Sequence, residues 1–163
     1  MPLLLTSVCD QLPKPVFPLH VGRGYNPYTM RELSQLYLIK AEESLLGAES
    51  EFTHGRYNNV ANRCYYACFQ AAVAALHQAG IPPRGSRSDW GHAFVQAEFV
   101  GRLINRRQLY PAQLRQVLAR HITLRHTADY APEMVTQTQA ARALQRTRDF
   151  LAAIREKVNA HES

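Results

Sequence analysis

A chain of 163 residues is long enough for one domain with a substantial hydrophobic core. Its apolar content of 46% is typical of soluble globular proteins, and no apolar run approaches the length of a membrane span. The first 15 residues contain an apolar patch with no basic region before it, so we expect no secretory signal peptide. Three cysteines favour reduced thiols in a cytoplasm, and they lack companion ligands at metal-binding spacing, so we expect no metal and no cofactor.

The net charge of +6 is unevenly distributed along the chain. Between Arg84 and His126 there are eight arginines, opposed only by Asp89 and Glu98, so this region alone accounts for the excess. A local concentration of basic groups suits a polyanion such as RNA. The alternative is a solvated surface that reflects the preference of this chain for arginine over lysine. The sequence favours neither interpretation over the other.

The first two helices have clear boundaries in the sequence. Five prolines in residues 1–28 argue against helix there, so we expect an irregular arm over 1–28 and a helical domain over 29–163. Thr29 and Glu32 form a capping box that begins a helix ending near Phe52. A second helix is predicted over residues 57–78, ended by Gly80. Its many alanines allow close packing, so we expect it to be the central helix.

Three further helices complete the predicted fold. Residues 84–89 form a polar loop, which we expect to be the most mobile segment of the chain. Helices follow over about 90–104, from Tyr110 to before Pro132, and over about 136–160. No sustained alternating pattern indicates a strand. The prediction is an all-α, up-down antiparallel bundle of about five helices.

The fourth predicted helix carries polar groups where apolar ones are expected. Leu114, Val117 and Leu118 mark its apolar face, and a rotation of about 100° per residue places His121, Arg125 and Asp129 on the same side. Charged groups on an inward face are costly unless they are paired or contact a ligand. Arg125 and Asp129 therefore form either a pair that locks the helix or part of a site for an anionic ligand.

Standard catalytic motifs are absent from the sequence. There is no glycine-rich phosphate loop after a strand, no Ser-His-Asp signature and no paired-cysteine metal motif. What remains is arginine and histidine on one helix, with His92 in the basic region before it. Arginine binds phosphate oxygens through a planar fork, and histidine moves protons near neutral pH. These groups suffice to cut RNA without a metal, or merely to hold a nucleotide.

Three motifs resemble those of the HEPN superfamily, in its small stand-alone prokaryotic branch. Residues 62–69, Asn-Arg-Cys-Tyr-Tyr-Ala-Cys-Phe, are similar to the Arg-x-Tyr-Tyr-Ala-x-Phe of the family's central helix. His92 precedes a helix after a polar loop, and residues 125–130 are similar to Arg-x-x-Ala-Asp-Tyr near the end of the fourth helix. The resemblance implies a homodimer with the site at the subunit interface. It also implies a metal-independent endoribonuclease, often a toxin paired with a minimal nucleotidyltransferase antitoxin.

The chain departs from the family's catalytic pattern. That pattern is an arginine, a polar residue, and a histidine five to seven positions after the arginine. Residues 130–132 after Arg125 are Tyr, Ala and Pro, whereas His126 lies six positions after Arg120. The candidate catalytic residues are Arg125, Asp129, Tyr130, His126, His121 and Arg120. The candidate RNA-binding residues are Arg63, Tyr66, Arg84, Arg87 and His92.

Three functions are compatible with this sequence. The first is an endoribonuclease of a toxin–antitoxin or defence system, which leaves a 2′,3′-cyclic phosphate. The second is a non-catalytic HEPN module that binds a nucleotide, RNA or a partner nucleotidyltransferase. The third is a structural bundle in which the Arg125–Asp129 pair only stabilises the fold. The first two rest on analogy with the family.

Overall fold

A computed structural model describes residues 27–84 and 90–160 of the chain. Within these ranges the chain forms five α-helices and no strand, which confirms the predicted all-α bundle. The helices are α1 (Met30–Thr53), α2 (Tyr57–Gln78), α3 (His92–Glu98), α4 (Val117–Tyr130) and α5 (Gln137–Asn159). The predicted arm, apart from its last two residues, and the loop after Arg84 lie outside the described residues. No helix in the described ranges is long and apolar enough to cross a membrane.

Local sequence signals set most helix boundaries. The capping box at Thr29 and Glu32 is present at the start of α1, and a second one at Thr136 and Gln139 begins α5. Gly55 and Gly80 follow α1 and α2 with φ values of 72° and 73°, a conformation that glycine adopts without a steric penalty. These features place α2 at the predicted boundaries.

The third and fourth helices differ from the prediction in detail. α3 begins two residues later than predicted and continues as a π-helical segment, Phe99–Arg106. The wider turn keeps Phe99, Leu103 and Ile104 together in the core. The fourth helix starts with a 3₁₀ turn, Ala112–Gln116, after Pro111, and becomes α-helical only at Val117. Proline has no backbone N–H, and at the N-cap position no hydrogen bond within the helix requires one.

α2 is the central helix, as predicted, since thirteen of its 22 residues are buried. Contacts between side chains give the helix directions. Ser34 of α1 donates to the Ala74 carbonyl, and the Ser44 hydroxyl is hydrogen-bonded to the side-chain amide of Gln70, so α1 and α2 are antiparallel. Asn62 of α2 contacts Asp129 and Asn58 contacts Ala128, which puts α4 on α2 with its C-terminal end beside the N-terminal half of α2. This register brings the motifs of α2 and α4 together.

Candidate functional site

Arg125 lies against two aromatic rings of the central helix. Its guanidinium carbon is 5.1 Å from the ring centroid of Tyr65 and 5.0 Å from that of Tyr66. A guanidinium at such distances is attracted by the electron-rich faces of the rings. The Arg125 side chain is 21% exposed, so it is half-buried and still accessible from solvent. Packing on tyrosines orients the planar fork and leaves less side-chain entropy to lose on binding an anion.

Asp129 completes this cluster and ties it to α2. Its Oδ2 accepts from Arg125 Nε at 3.3 Å, and its Oδ1 accepts from the side-chain amide of Asn62 at 2.9 Å. One turn earlier in α2, Asn58 donates to the Ala128 carbonyl at 3.3 Å and accepts from the Val135 amide at 2.9 Å. These two asparagines fix the C-terminal turn of α4 on α2. We refer to Asn62, Tyr65, Tyr66, Arg125 and Asp129 as the α2–α4 site.

His92 at the start of α3 contacts the same aromatic cluster. Its Nδ1 is hydrogen-bonded to the Tyr65 hydroxyl, and its ring centroid is 4.7 Å from that of Phe69. The Tyr65 ring thus has Arg125 over its face and His92 at its hydroxyl end. Burial raises the pKa of Tyr65 to about 12, while nearby Arg125 acts in the opposite direction. The Tyr65 hydroxyl therefore keeps its proton at neutral pH and serves as a hydrogen-bond partner rather than as a base.

A cavity of about 340 Å³ opens beside the α2–α4 site. It is lined by Asn62, Tyr66 and exposed Arg63, together with Glu51 and Asn59. Hydrogen bonds from Arg56, and then from Asn59, hold the pKa of Glu51 at about 2, so this carboxylate is ionised at neutral pH. The cavity therefore carries both signs of charge, and Arg63 is its cationic group.

A model of the HEPN domain matches residues 34–157, from the first turns of α1 to near the end of α5. The chain belongs to the HEPN family. The family membership predicted from the sequence is therefore confirmed. A search of curated proteins found no match to this chain. The HEPN match contains the whole α2–α4 site and His92.

The remaining candidates on α4 do not join the α2–α4 site. His121 is buried, with 1% of its surface exposed, and its Nε2 lies 3.3 Å from the Thr147 hydroxyl. Burial, and secondarily the charge of Arg146, lowers the pKa of His121 to about 4. His126 is exposed and its ring packs edge-on against Tyr130. Arg120 bonds Gln116 at 3.1 Å, so the structure does not bring Arg120 and His126 together as a pair.

The other candidates are dispersed. Tyr130 is 78% exposed at the last residue of α4. Arg84 is exposed, with its guanidinium 5.8 Å from the Phe94 ring, and Arg87 lies outside the described residues. Other arginines of the basic region have local partners: Arg102 pairs with Glu98, Arg107 donates to the Ala79 carbonyl and Arg115 donates to Asn105.

Sequence reasoning did not include Asn58 or Asn62 among the site residues, although Asn62 begins the motif of the central helix. They precede Tyr65 and Tyr66 at helical spacing and share a face of α2 with them, so a polar stripe leading to the paired tyrosines was the available signal. It also missed Arg142 and Arg146 of α5, which line a pocket with Arg120. No three histidine, cysteine, aspartate or glutamate side chains cluster in a metal-binding arrangement within 27–84 and 90–160.

Proposed function

We propose that this HEPN protein is an RNA-binding, metal-independent endoribonuclease whose α2–α4 site holds the scissile phosphate. The observation that carries the proposal is the half-buried Arg125 guanidinium, oriented by two tyrosine rings and by Asp129. Arginine presents several donors in a plane, so it can keep its Nε bond to Asp129 while its terminal nitrogens bind phosphate oxygens. Membership of a family with ribonuclease and nucleotide-related roles supports this choice of ligand.

His92 supplies the histidine that the segment after Arg125 lacks. The hydrogen bond between Nδ1 and the Tyr65 hydroxyl holds the His92 ring in place. As base, the neutral His92 imidazole takes the proton of an RNA 2′-hydroxyl. The 2′-oxygen bonds to phosphorus while the bond from phosphorus to the 5′-oxygen breaks. Arg125 stabilises the negative charge that builds up on the phosphate oxygens. The products are a 2′,3′-cyclic phosphate and a free 5′-hydroxyl.

The leaving 5′-oxygen needs a proton, and His126 is our candidate donor. It is exposed on α4 next to Arg125, whereas His121 is buried and stays neutral down to a pH of about 4. An inward, neutral imidazole cannot reach or protonate a strand bound at the surface. His121 and Arg120 are therefore left out of the proposed reaction, although both were candidates from the sequence.

The test is incubation of purified protein with single-stranded RNA in excess EDTA. We expect cleavage, with fragments that end in 2′,3′-cyclic phosphate and 5′-hydroxyl. Intact RNA across several substrates between pH 6 and 8 would contradict the proposal. Growth arrest on expression, relieved by a nucleotidyltransferase encoded next to this gene, would extend it to a toxin–antitoxin pair in the cytoplasm.

One observation favours a second candidate, a non-catalytic HEPN module. Asp129 already accepts from Asn62 and from the Nε of Arg125 within the chain, and no histidine follows Arg125 at the family spacing. Beyond the cluster, Tyr130 and Met134 are 78% and 71% exposed and offer contact area to RNA or to a protein partner. This function predicts salt-sensitive RNA binding, or a stable complex with a neighbouring gene product, without turnover.

A further inference from the structure

A second basic cluster lies on the opposite side of α4 from Arg125. Arg120, Thr123 and Thr127 are about 140–160° around the helix from Arg125 at 3.6 residues per turn. They line a pocket of about 260 Å³ between α4 and α5, which we call the α4–α5 pocket. Arg142, Arg146 and Gln139 of α5 form its other wall. One water needs only ~10–15 Å³ on this measure, so the pocket has room for a larger ligand.

The arginines of α5 fall into two groups that differ in pairing. Arg148 and Arg155 face α1 and form ion pairs with Glu49 at 2.9 Å and with Glu42 at 2.7 Å. Arg142 and Arg146 face α4, and none of the ion pairs formed within residues 27–84 and 90–160 includes them or Arg120. Among residues 27–84 and 90–160, no acidic residue lines the α4–α5 pocket. Three arginines therefore line one cavity, and no carboxylate in the described part of the chain lines it with them.

The neutral groups around this pocket also suit an anion. Gln139 Oε1 accepts from the Thr136 amide at 2.9 Å and from its hydroxyl at 3.1 Å, so the remaining polar atom of Gln139 is an NH₂ donor. Beneath the pocket, the charge of Arg146 is one of the causes that keep His121 unprotonated, after burial itself. The positive electrostatic potential of the pocket thus acts on His121, which lies at the inner end of the pocket. Such an environment repels cations and favours a multiply charged oxyanion.

We propose that the α4–α5 pocket is a phosphate-binding site, held by Arg120, Arg142 and Arg146, for the phosphate group of a nucleotide that is either free or part of RNA. Bidentate guanidinium groups match the geometry of phosphate oxygens. The site is separate from the α2–α4 site, and its occupancy does not require cleavage. Arg120 takes its role here and not as a partner of His126.

The experiment measures binding by calorimetry in the Arg125→Ala background, so that cleavage does not interfere. Its three ligands are inorganic phosphate, AMP and a short single-stranded RNA. The test variant is Arg142→Gln with Arg146→Gln, and the matched control is Arg148→Gln with Arg155→Gln, which removes the same charge from the same helix. We expect the test variant to weaken binding about tenfold or more for each arginine lost and the control to change it little.

The three ligands separate the sources of the phosphate. Binding of AMP that the test variant loses identifies free nucleotide as a ligand, and loss restricted to RNA identifies a backbone phosphate. If the test variant has a lowered melting temperature, Arg120→Gln on α4 is measured instead, with the same expectation. No binding of any of the three ligands by the parent protein would overturn the proposal, as would equal losses in the test and control variants. Either failure leaves the proposed cleavage at Arg125 untouched.

Discussion

The side-chain amide of Asn62 donates to Oδ1 of Asp129 at 2.9 Å, and this bond joins the central helix to the C-terminal turn of α4. The other oxygen of Asp129 accepts from Arg125. Asn62 thus positions the carboxylate that in turn positions the guanidinium. The cluster spans two helices, so a substitution at Asn62 on α2 should alter the position of the Arg125 guanidinium on α4.

Replacing Asn62 by Ala should destabilise the fold by about 1 kcal/mol, the typical cost of removing one hydrogen-bond partner. It should also lower RNA cleavage, because Asp129 is then held only by Arg125. Urea unfolding gives the first quantity and initial cleavage rates the second. Gln145→Ala is the control, since Gln145 is exposed on α5 and its side-chain amide likewise donates to a carboxylate, that of Asp149, at 2.9 Å. Equal effects of the two substitutions would argue against a positioning role for Asn62.

His121 should make the fold sensitive to mild acid. Its pKa is about 4 in the folded protein against about 6.5 when unfolded, so the unfolded chain binds more protons between these values. The contribution of neutral His121 to the free energy of unfolding is fully present above a pH of about 6.5 and is lost progressively as the pH falls towards 4. The loss from this group is on the order of 3 kcal/mol, from 1.4 kcal/mol per unit.

The measurement compares the free energy of unfolding at pH 7.5 and 5 in wild type and His121→Gln. Buried His77 also has a lowered pKa and contributes in the same direction in both proteins, so it cancels in the comparison. The variant should lose less stability on acidification than the wild type. An identical dependence in His121→Gln and wild type would show that His121 does not titrate as proposed.

The two cysteines of α2 should be inert in the native protein. Cys64 and Cys68 are fully buried, and burial raises the pKa of both, that of Cys64 to about 11. The reactive thiolate is therefore scarce and shielded. In a Cys9→Ser variant, which removes the thiol outside the described residues, labelling by a thiol reagent at pH 8 should require unfolding. Rapid stoichiometric labelling without denaturant would contradict the packing of α2.

Tyr130 should be dispensable for folding. It is largely exposed, and exposed substitutions usually change stability by less than ~0.5 kcal/mol. Tyr130→Ala should therefore unfold at the same urea concentration as the wild type. If the same variant loses RNA binding or a protein partner, the exposed end of α4 is a contact surface. A marked loss of stability would instead assign Tyr130 a structural role.

Local signals explain what the sequence could predict. The capping box at Thr29 and the glycines after α1 and α2 act within a few residues, so helix boundaries could be predicted there. The rotation of 100° per residue also brought Arg125 and Asp129 to one side of α4. The partners of that pair could not be predicted in the same way, because Asn58 and Asn62 meet α4 only through the register of two helices far apart in the chain.

The α4–α5 pocket could not be predicted from the sequence for the same reason, since it depends on how two helices pack. The sequence around Arg142 and Arg146 does not distinguish them from Arg148 and Arg155, so it does not predict which of these arginines form ion pairs. Glu49 and Glu42 of α1 form ion pairs with Arg148 and Arg155 because α5 packs with that face towards α1. Arg142 and Arg146 lie on the face towards α4 and form no ion pair within the described residues. The π-helical segment after α3 likewise follows from core packing at Phe99 and Leu103, which involves residues distant in the sequence.

Cleavage by Arg125 variants tests the central proposal most directly. Arg125→Lys keeps a positive charge beside Asp129 but loses the planar fork, so the fold should persist. The matched control, Arg155→Lys, changes an exposed arginine on α5 that pairs with Glu42. In EDTA we expect wild type and Arg155→Lys to cut RNA to 2′,3′-cyclic phosphate ends, and Arg125→Lys to be about 10²–10³-fold slower. Cleavage by folded Arg125→Lys at the wild-type rate would contradict the assignment of the α2–α4 site as the catalytic centre.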